Sequence, residues 1–93
     1  MIVENMTSSK GNTVPNQYII RDSKNNKLTF QSYSSIICEI IDDDITLDVV
    51  YWDYSKTTSR YLSAFLNIPC KDIRKGVASG KYSLKDLNHD NRV

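Results

Sequence analysis

The sequence predicts one α+β domain, in which an antiparallel sheet of about four strands packs with one or two C-terminal helices. Through the first half of the chain, apolar and polar residues alternate with a period of two, which is typical of half-buried strands. From Ser55 onward, the apolar residues recur at helical spacing instead. The 93 residues are enough for one domain and too few for two ordinary ones. We therefore interpret residues 1–93 as a single domain, with residues 1–13 as a loose arm or edge strand and residues 89–93 as a frayed tail.

Alternation of apolar and polar residues predicts four strands, at residues 17–22, 27–32, 35–41 and 45–52. The first connection ends in Asn25 and Asn26, and asparagine tolerates the positive φ that a tight turn needs. The third connection consists of Asp42, Asp43 and Asp44, whose carboxylates repel one another and prefer solvent. Short connections of this kind indicate an antiparallel meander.

The strand at residues 35–41 is apolar on both faces. If the alternation is strict, its core-facing residues are Ile36, Cys38 and Ile40. Ile37 and Ile41 then lie on the opposite face beside Glu39. Because that second face is too apolar to be fully exposed, we expect another part of the chain to cover it in part.

Two helices are predicted after the last strand. Ser55, Thr57 or Thr58 can cap the first, at residues 57–66, because a hydroxyl oxygen accepts from free backbone N–H groups. Its apolar stripe consists of Tyr61, Leu62, Phe65 and Leu66. The second helix is expected at residues 70–78, although Gly76 inside it costs about 1 kcal/mol relative to alanine. Residues 81–88 close the core as a strand or a turn.

The formal net charge of +1 hides a separation of charge along the chain. Residues 28–53 contain six acidic residues and no lysine or arginine, whereas the segments on either side are basic. These parts can attract each other within the fold, or they can present opposite poles to a charged partner.

The composition predicts a cytoplasmic protein without cofactors. Cys38 and Cys70 have neither the spacing of a metal site nor the density of a disulfide framework. The chain opens with no secretion signal and contains no apolar run long enough to cross a membrane. We expect no metal, no cofactor and no membrane association, and the sequence does not predict an oligomeric state.

Catalysis is not expected from this sequence. Nucleophilic catalysis needs a base beside a serine or cysteine, and the one histidine, His89, falls in the predicted tail. The aspartates at 42–44 crowd one turn instead of facing each other across a cleft. The three glycines are scattered and form no phosphate-binding loop.

Nucleic-acid binding is one alternative. The two predicted helices resemble a helix-turn-helix in outline, and the second would carry Lys71, Arg74 and Lys75. Against this interpretation, the second helix is short and the protein is nearly neutral. A solvated basic helix face explains the same three residues.

Protein binding is the other function class. Aromatic residues beside a cation dominate many interfaces, and Tyr54 with Lys56 and Arg60 has this composition. The second candidate set is acidic and could mimic nucleic-acid phosphates; it consists of Asp42, Asp43, Asp44 and Asp48. A purely structural interpretation also exists, in which Trp52 covers the apolar second face of the sheet.

Several segments resemble a small domain of unknown function that is widespread in tailed phages and prophages. They are residues 16–20, residues 30–37 and the run Tyr51-Trp52-Asp53-Tyr54-Ser55-Lys56-Thr57-Thr58, together with Tyr61, Phe65 and Leu66. The resemblance covers about residues 13–88 and implies a phage or mobile-element origin, but no activity. The acidic turn at 42–44 is not part of the shared pattern.

Small phage proteins without catalytic machinery often act by occupying a surface of a host protein, and inhibitors of CRISPR nucleases are one such class. By this analogy, we expect a non-catalytic accessory protein that binds and inhibits a host defence complex, either a protein or a ribonucleoprotein. A small nucleic-acid binder is the alternative.

Overall fold

In the computed structural model, which describes residues 1–88, five strands are followed by two helices and by a short sixth strand that returns to the same sheet. The elements in chain order are β1 (Ile2–Thr7), β2 (Thr13–Asp22), β3 (Lys27–Ser32), β4 (Ser35–Ile41), β5 (Asp44–Asp48), α1 (Lys56–Leu66), α2 (Cys70–Ala78) and β6 (Ser83–Lys85). Strands β1 to β5 form an antiparallel meander, and β6 pairs in parallel with β5. The predicted α+β class is confirmed, and the predicted tail lies outside the described residues.

The sheet has two more strands than predicted. Of the two predicted forms of the N-terminal segment, the edge strand is the one observed, as β1. Strand β6 adds only three residues at the other edge. Strand β5 ends at Asp48, four residues earlier than predicted, because the Asp48 carboxylate accepts from the backbone N–H groups of Val50 and Tyr51 and turns the chain.

The core lies between one face of the sheet and the helices. Register places Ile19, Phe30, Cys38 and Leu47 in one row across four strands. Phe65 of α1 stacks on Phe30 with ring centroids 5.6 Å apart, so α1 covers this face. Burial raises the pKa of the Cys38 thiol to about 12, which keeps it neutral. Cys38 therefore serves as a small apolar core residue, as the sequence suggested.

A β-bulge in β4 corrects the predicted alternation. Phe30 pairs with Cys38, but the next residue, Gln31, pairs with Ile36, which leaves Ile37 as the extra residue on β4. As a result Ile37 and Cys38 are both buried, at 1% and 0% exposure, while Ile36 is only partly buried. The prediction that Ile37 lies on the outer face is therefore wrong.

The helices begin and end at local signals. The Ser55 side chain accepts from the Thr58 backbone N–H, so Ser55 is the cap among the three predicted candidates. Asn67 ends α1 in the left-handed conformation, at φ 57°. Gly76 in α2 has a packing reason, because a Cβ there would lie 2.2 Å from the Tyr82 ring. The close approach of the segment leading to β6 thus requires glycine at this position.

Two buried polar side chains attach the C-terminal segment to the sheet. Asn88 is 2% exposed; its amide accepts from the Ile36 N–H at 2.6 Å and donates to the Ile36 carbonyl at 2.7 Å. Asp48 accepts from the Leu87 N–H at 2.8 Å. The two Asn88 bonds satisfy backbone groups of β4 beyond the end of β5, where no strand within residues 1–88 continues the ladder.

Candidate protein-binding site

A groove of about 320 Å³ lies between the β3–β4 turn and the junction of β5 with α1. We call it the tyrosine groove, and its lining residues are Ser32, Tyr33, Ser35, Ile37, Tyr51, Tyr54, Ser55 and Thr58. Three tyrosines, four hydroxyl residues and one isoleucine form its surface, with no side chain that is charged at neutral pH. A surface of this composition favours packing and hydrogen bonding over acid–base chemistry.

Tyr33 is held in an unfavourable backbone conformation at the rim of the groove. Ser32 pairs with Ser35, so the turn has two central residues, and Tyr33 is the first of them with φ at 56°. A side-chain-bearing residue in this region costs about 1–2 kcal/mol relative to a right-handed one. The Tyr33 N–H donates to the Asn16 carbonyl at 2.7 Å, which fixes the turn against β2. Because strained residues cluster at functional sites, Tyr33 is a candidate for a role outside folding.

Tyr54 projects from the opposite wall of the groove. Tyr54 is 70% exposed, and Tyr33 is 64% exposed. Tyr51 lies partly buried against the core, and its ring contacts the Tyr54 ring edge-on at 5.4 Å between centroids. Tyr51 therefore orients Tyr54 while leaving most of that ring accessible to a partner.

Two of the serine and threonine residues that line the groove, Ser55 and Thr58, come from the start of α1. The Ser55 Oγ donates to the Thr58 Oγ1 at 3.1 Å and accepts from the Thr58 N–H at 3.1 Å. This cap fixes the start of α1 directly after Tyr54. The geometry of the groove on this side is thus set by a local signal in the sequence.

The predicted acidic turn forms, and it has a structural role. Asp42 and Asp43 occupy its two central positions with φ at 50° and 70°, while Asp44 begins β5. The Asn26 side chain donates to the Asp42 carboxylate at 2.8 Å, and the Asp42 N–H donates to the Asn26 carbonyl at 3.2 Å. Aspartate tolerates the left-handed conformation well, so the fold itself accounts for this turn.

Asp48 does not belong to an exposed acidic surface. It is 0% exposed, and its carboxylate accepts three backbone hydrogen bonds, from Val50, Tyr51 and Leu87. The prediction that Asp48 contacts a partner together with the acidic turn is therefore wrong. Sequence alternation placed it on the outer face because the turn that follows it was not foreseen.

Lys56 and Arg60 are exposed one helical turn apart on α1, away from the side that carries buried Thr58 and Leu62. Arg60 donates to the Tyr61 hydroxyl at 2.8 Å and lies 4.9 Å from that ring centroid. Neither cation lines the tyrosine groove. The grouping of these cations with Tyr54 in one protein-binding surface stays a prediction.

The basic residues of α2 are only partly free. Arg74 donates to the Asp53 carboxylate at 3.1 Å, and Ser59 donates to the same oxygen at 2.9 Å. The Arg74 bond lowers the pKa of Asp53, and in turn the carboxylate raises the pKa of Arg74. Lys71 and Lys75 are exposed. The ion pair joins the acidic stretch at residues 28–53 to the basic part of the chain that follows it, which is one of the two outcomes expected from the charge separation.

Tyr33 is the site residue that sequence reasoning missed. The usable signal was a large aromatic residue between serines in a two-residue connection, where glycine or asparagine is typical. One further polar group remains within the described part of the chain: Gln17 is 2% exposed, and its side-chain oxygen has no hydrogen-bond partner there. Gln17 pairs with Ser32, which lines the groove.

Residues 1–88 contain no cluster of three histidine, cysteine or acidic side chains that could hold a metal ion. Over the same residues, neither helix has the length and apolar character needed to span a membrane.

The comparison with known protein families identifies the family of this chain. Residues 1–81 match a family of unknown function, DUF8033. The chain belongs to this family. No curated protein and no solved structure matches the chain. The DUF8033 match includes both walls of the tyrosine groove and ends before β6, Leu87 and Asn88. The predicted membership of a family of unknown function is confirmed at this level.

Proposed function

We propose that this DUF8033 protein is a non-catalytic accessory protein of a phage or mobile element that binds a host protein through the tyrosine groove. Its effect is to inhibit a host defence complex in the cytoplasm, with a CRISPR-Cas effector as the leading target. The observation that carries the proposal is the exposure of Tyr33 and Tyr54 across one groove. Tyrosine is among the residues that contribute most binding energy at protein interfaces.

The sequence resemblance supports the same site. Two of the segments that resemble the phage domain supply opposite walls of the groove: residues 30–37 carry Tyr33, and residues 51–58 carry Tyr54 and the α1 cap. These segments are far apart in the chain and meet only in the folded protein. A shared pattern that converges on an exposed groove favours binding over core packing as its purpose.

Nucleic-acid binding through Lys71, Arg74 and Lys75 is the second candidate. Its support is the exposure of Lys71 and Lys75 on one side of α2. The Asp53 ion pair neutralises Arg74, which leaves two lysines for phosphate contacts. Binding of this kind weakens steeply with salt, so retention of the chain on DNA or RNA at low salt would favour it.

The test is capture from a lysate of the host with the full chain as bait, comparing Tyr54→Ala with the unchanged protein. We expect the unchanged chain to retain a defence nuclease or its ribonucleoprotein and to inhibit its cleavage activity. Loss of the Tyr54 ring should weaken both about 30-fold, the effect of a hot spot of about 2 kcal/mol.

Val50→Ala is the matched control, because Val50 is 51% exposed and lies four residues before Tyr54 outside the groove. This variant should behave as the unchanged chain does. Equal inhibition by Tyr54→Ala would refute the groove as the contact surface. Recovery of nucleic acid alone would favour the second candidate.

A further inference from the structure

Strand β1 leaves one edge of the sheet open. Its inner side pairs with β2, and within residues 1–88 no strand pairs with its outer side. Ile2 pairs with Arg21 and Val3 with Ile20, so Ile2 and Val3 lie on opposite faces of the sheet. Both are exposed, at 63% and 61%. An apolar residue is therefore accessible on each side of an unpaired backbone edge.

Most of the usual protections of an edge strand are missing from this part of β1. Natural sheets block their edges with proline, charged side chains, bulges or very short strands. Residues 2–5 contain no proline or lysine, and the register shift near Met6 lies at the far end of the strand. Their one charged side chain, Glu4, forms an ion pair with Arg21 of the same chain. The opposite edge is protected, because β6 has three residues and includes Lys85.

We propose that β1 pairs in antiparallel orientation with β1 of a second copy of this chain, about a two-fold axis at Val3. The pairing joins the two six-stranded sheets into one and places the two Val3 side chains opposite each other. Because Val3 pairs with Ile20 within each copy, an apolar row of Ile20, Val3, Val3 and Ile20 crosses the junction.

A second copy of this chain fits the β1 edge better than a partner that would contact only one face of the sheet. The occupant must supply backbone hydrogen bonds and apolar side chains to both faces at once, and β1 itself is such a strand. Antiparallel pairing of a strand with itself is isologous, so one interface satisfies both copies. Glu4, which then lies opposite Ile2 of the second copy, already forms an ion pair with Arg21 at 2.5 Å.

The first test is the mass in solution of the full chain over a dilution series, by sedimentation or light scattering. We expect twice the 10.7 kDa of one chain. Val3→Lys should yield monomer at concentrations where the unchanged chain is dimeric, because two like charges would face each other at the axis. Val50→Lys, a change at another exposed valine away from the edge, should remain dimeric.

A cross-linking test covers the case in which Val3→Lys fails to fold. In a Cys70→Ser background, Val3→Cys should form a disulfide-linked dimer on mild oxidation, because directly opposed residues lie within disulfide reach. Val50→Cys should not. A monomer at every concentration would overturn the proposal and leave the edge to a strand of another protein. A dimer that is unaffected by Val3→Lys, or the lack of a Val3→Cys cross-link, would overturn the Val3 axis.

Discussion

The acidic segment at residues 42–48 and the tyrosine groove differ in how far the fold accounts for their residues. The Asp42 carboxylate accepts a hydrogen bond from Asn26 in the neighbouring turn, and the buried Asp48 carboxylate accepts from three backbone N–H groups. Tyr33 and Tyr54 instead expose most of their surface, and Tyr33 does so from a disfavoured backbone conformation.

This difference teaches that a high density of charge in the sequence does not by itself identify a candidate binding surface. The aspartates attract attention in the sequence because three are adjacent, yet their residue type suits the turn they form. By contrast, a turn position with positive φ favours glycine, asparagine or aspartate, so the turn itself does not explain why tyrosine occupies position 33. The residue that opposes local folding preference is the better indicator of function.

The largest expected effect is the loss of folding stability when Asp48 is replaced. Asp48→Ala removes the acceptor of three backbone N–H groups at a fully buried position, and we expect a loss of about 3 kcal/mol in the free energy of unfolding. Urea titration measures it. Asp44→Ala, an exposed acid at the other end of β5, should change stability by less than about 0.5 kcal/mol. Similar losses in both variants would contradict the structural role of Asp48.

A smaller effect is expected from neutralising the exposed acids together. Asparagine keeps the tolerance for positive φ and keeps an acceptor for Asn26, so the triple change Asp42→Asn, Asp43→Asn and Asp44→Asn should alter stability by less than about 0.5 kcal/mol. Inhibition of the host target should be unchanged. Abolished inhibition would instead establish phosphate mimicry by the acidic turn and move the contact surface away from the tyrosines.

A further effect concerns pH. The Arg74 bond lowers the pKa of Asp53, so the pair stabilises the protein above the unfolded pKa of about 3.9, and this contribution is lost as the pH falls through the lowered folded value. Because both side chains are about half exposed and solvent screens their attraction, we expect a much smaller change in stability than for Asp48→Ala. Acid unfolding of Asp53→Asn should show a shallower pH dependence below pH 4. If Asp53→Asn and the unchanged protein unfolded in acid with the same pH dependence, the ion pair would contribute nothing to stability.

Sequence reasoning succeeded where local signals decide the structure. Helix α2 was predicted at residues 70–78, as observed, because Ile73 and Val77 lie one helical turn apart and Gly80 follows as a stop signal. The end of β5 was not predicted, since one partner that fixes Asp48 is Leu87, 39 residues further along the chain. The bulge at Ile37 depends on the registers of two neighbouring strands at once. The tyrosine groove needs the β3–β4 turn and the α1 cap to meet in space, which no local pattern specifies.

The most direct test of the tyrosine groove as a binding site is to replace Tyr33 and measure stability and capture of the host target together. Tyr33→Gly relieves the left-handed strain, and after the entropy cost of glycine we expect stability to rise by about 0.5 kcal/mol. Capture should fall, since the ring is lost.

Ser34→Gly is the control, because Ser34 follows Tyr33 in the same turn and does not have a positive φ. It should lose about 0.5–1 kcal/mol of stability and retain capture. A more stable Tyr33→Gly protein that no longer binds its target is the predicted result. A less stable protein with undiminished capture would contradict it.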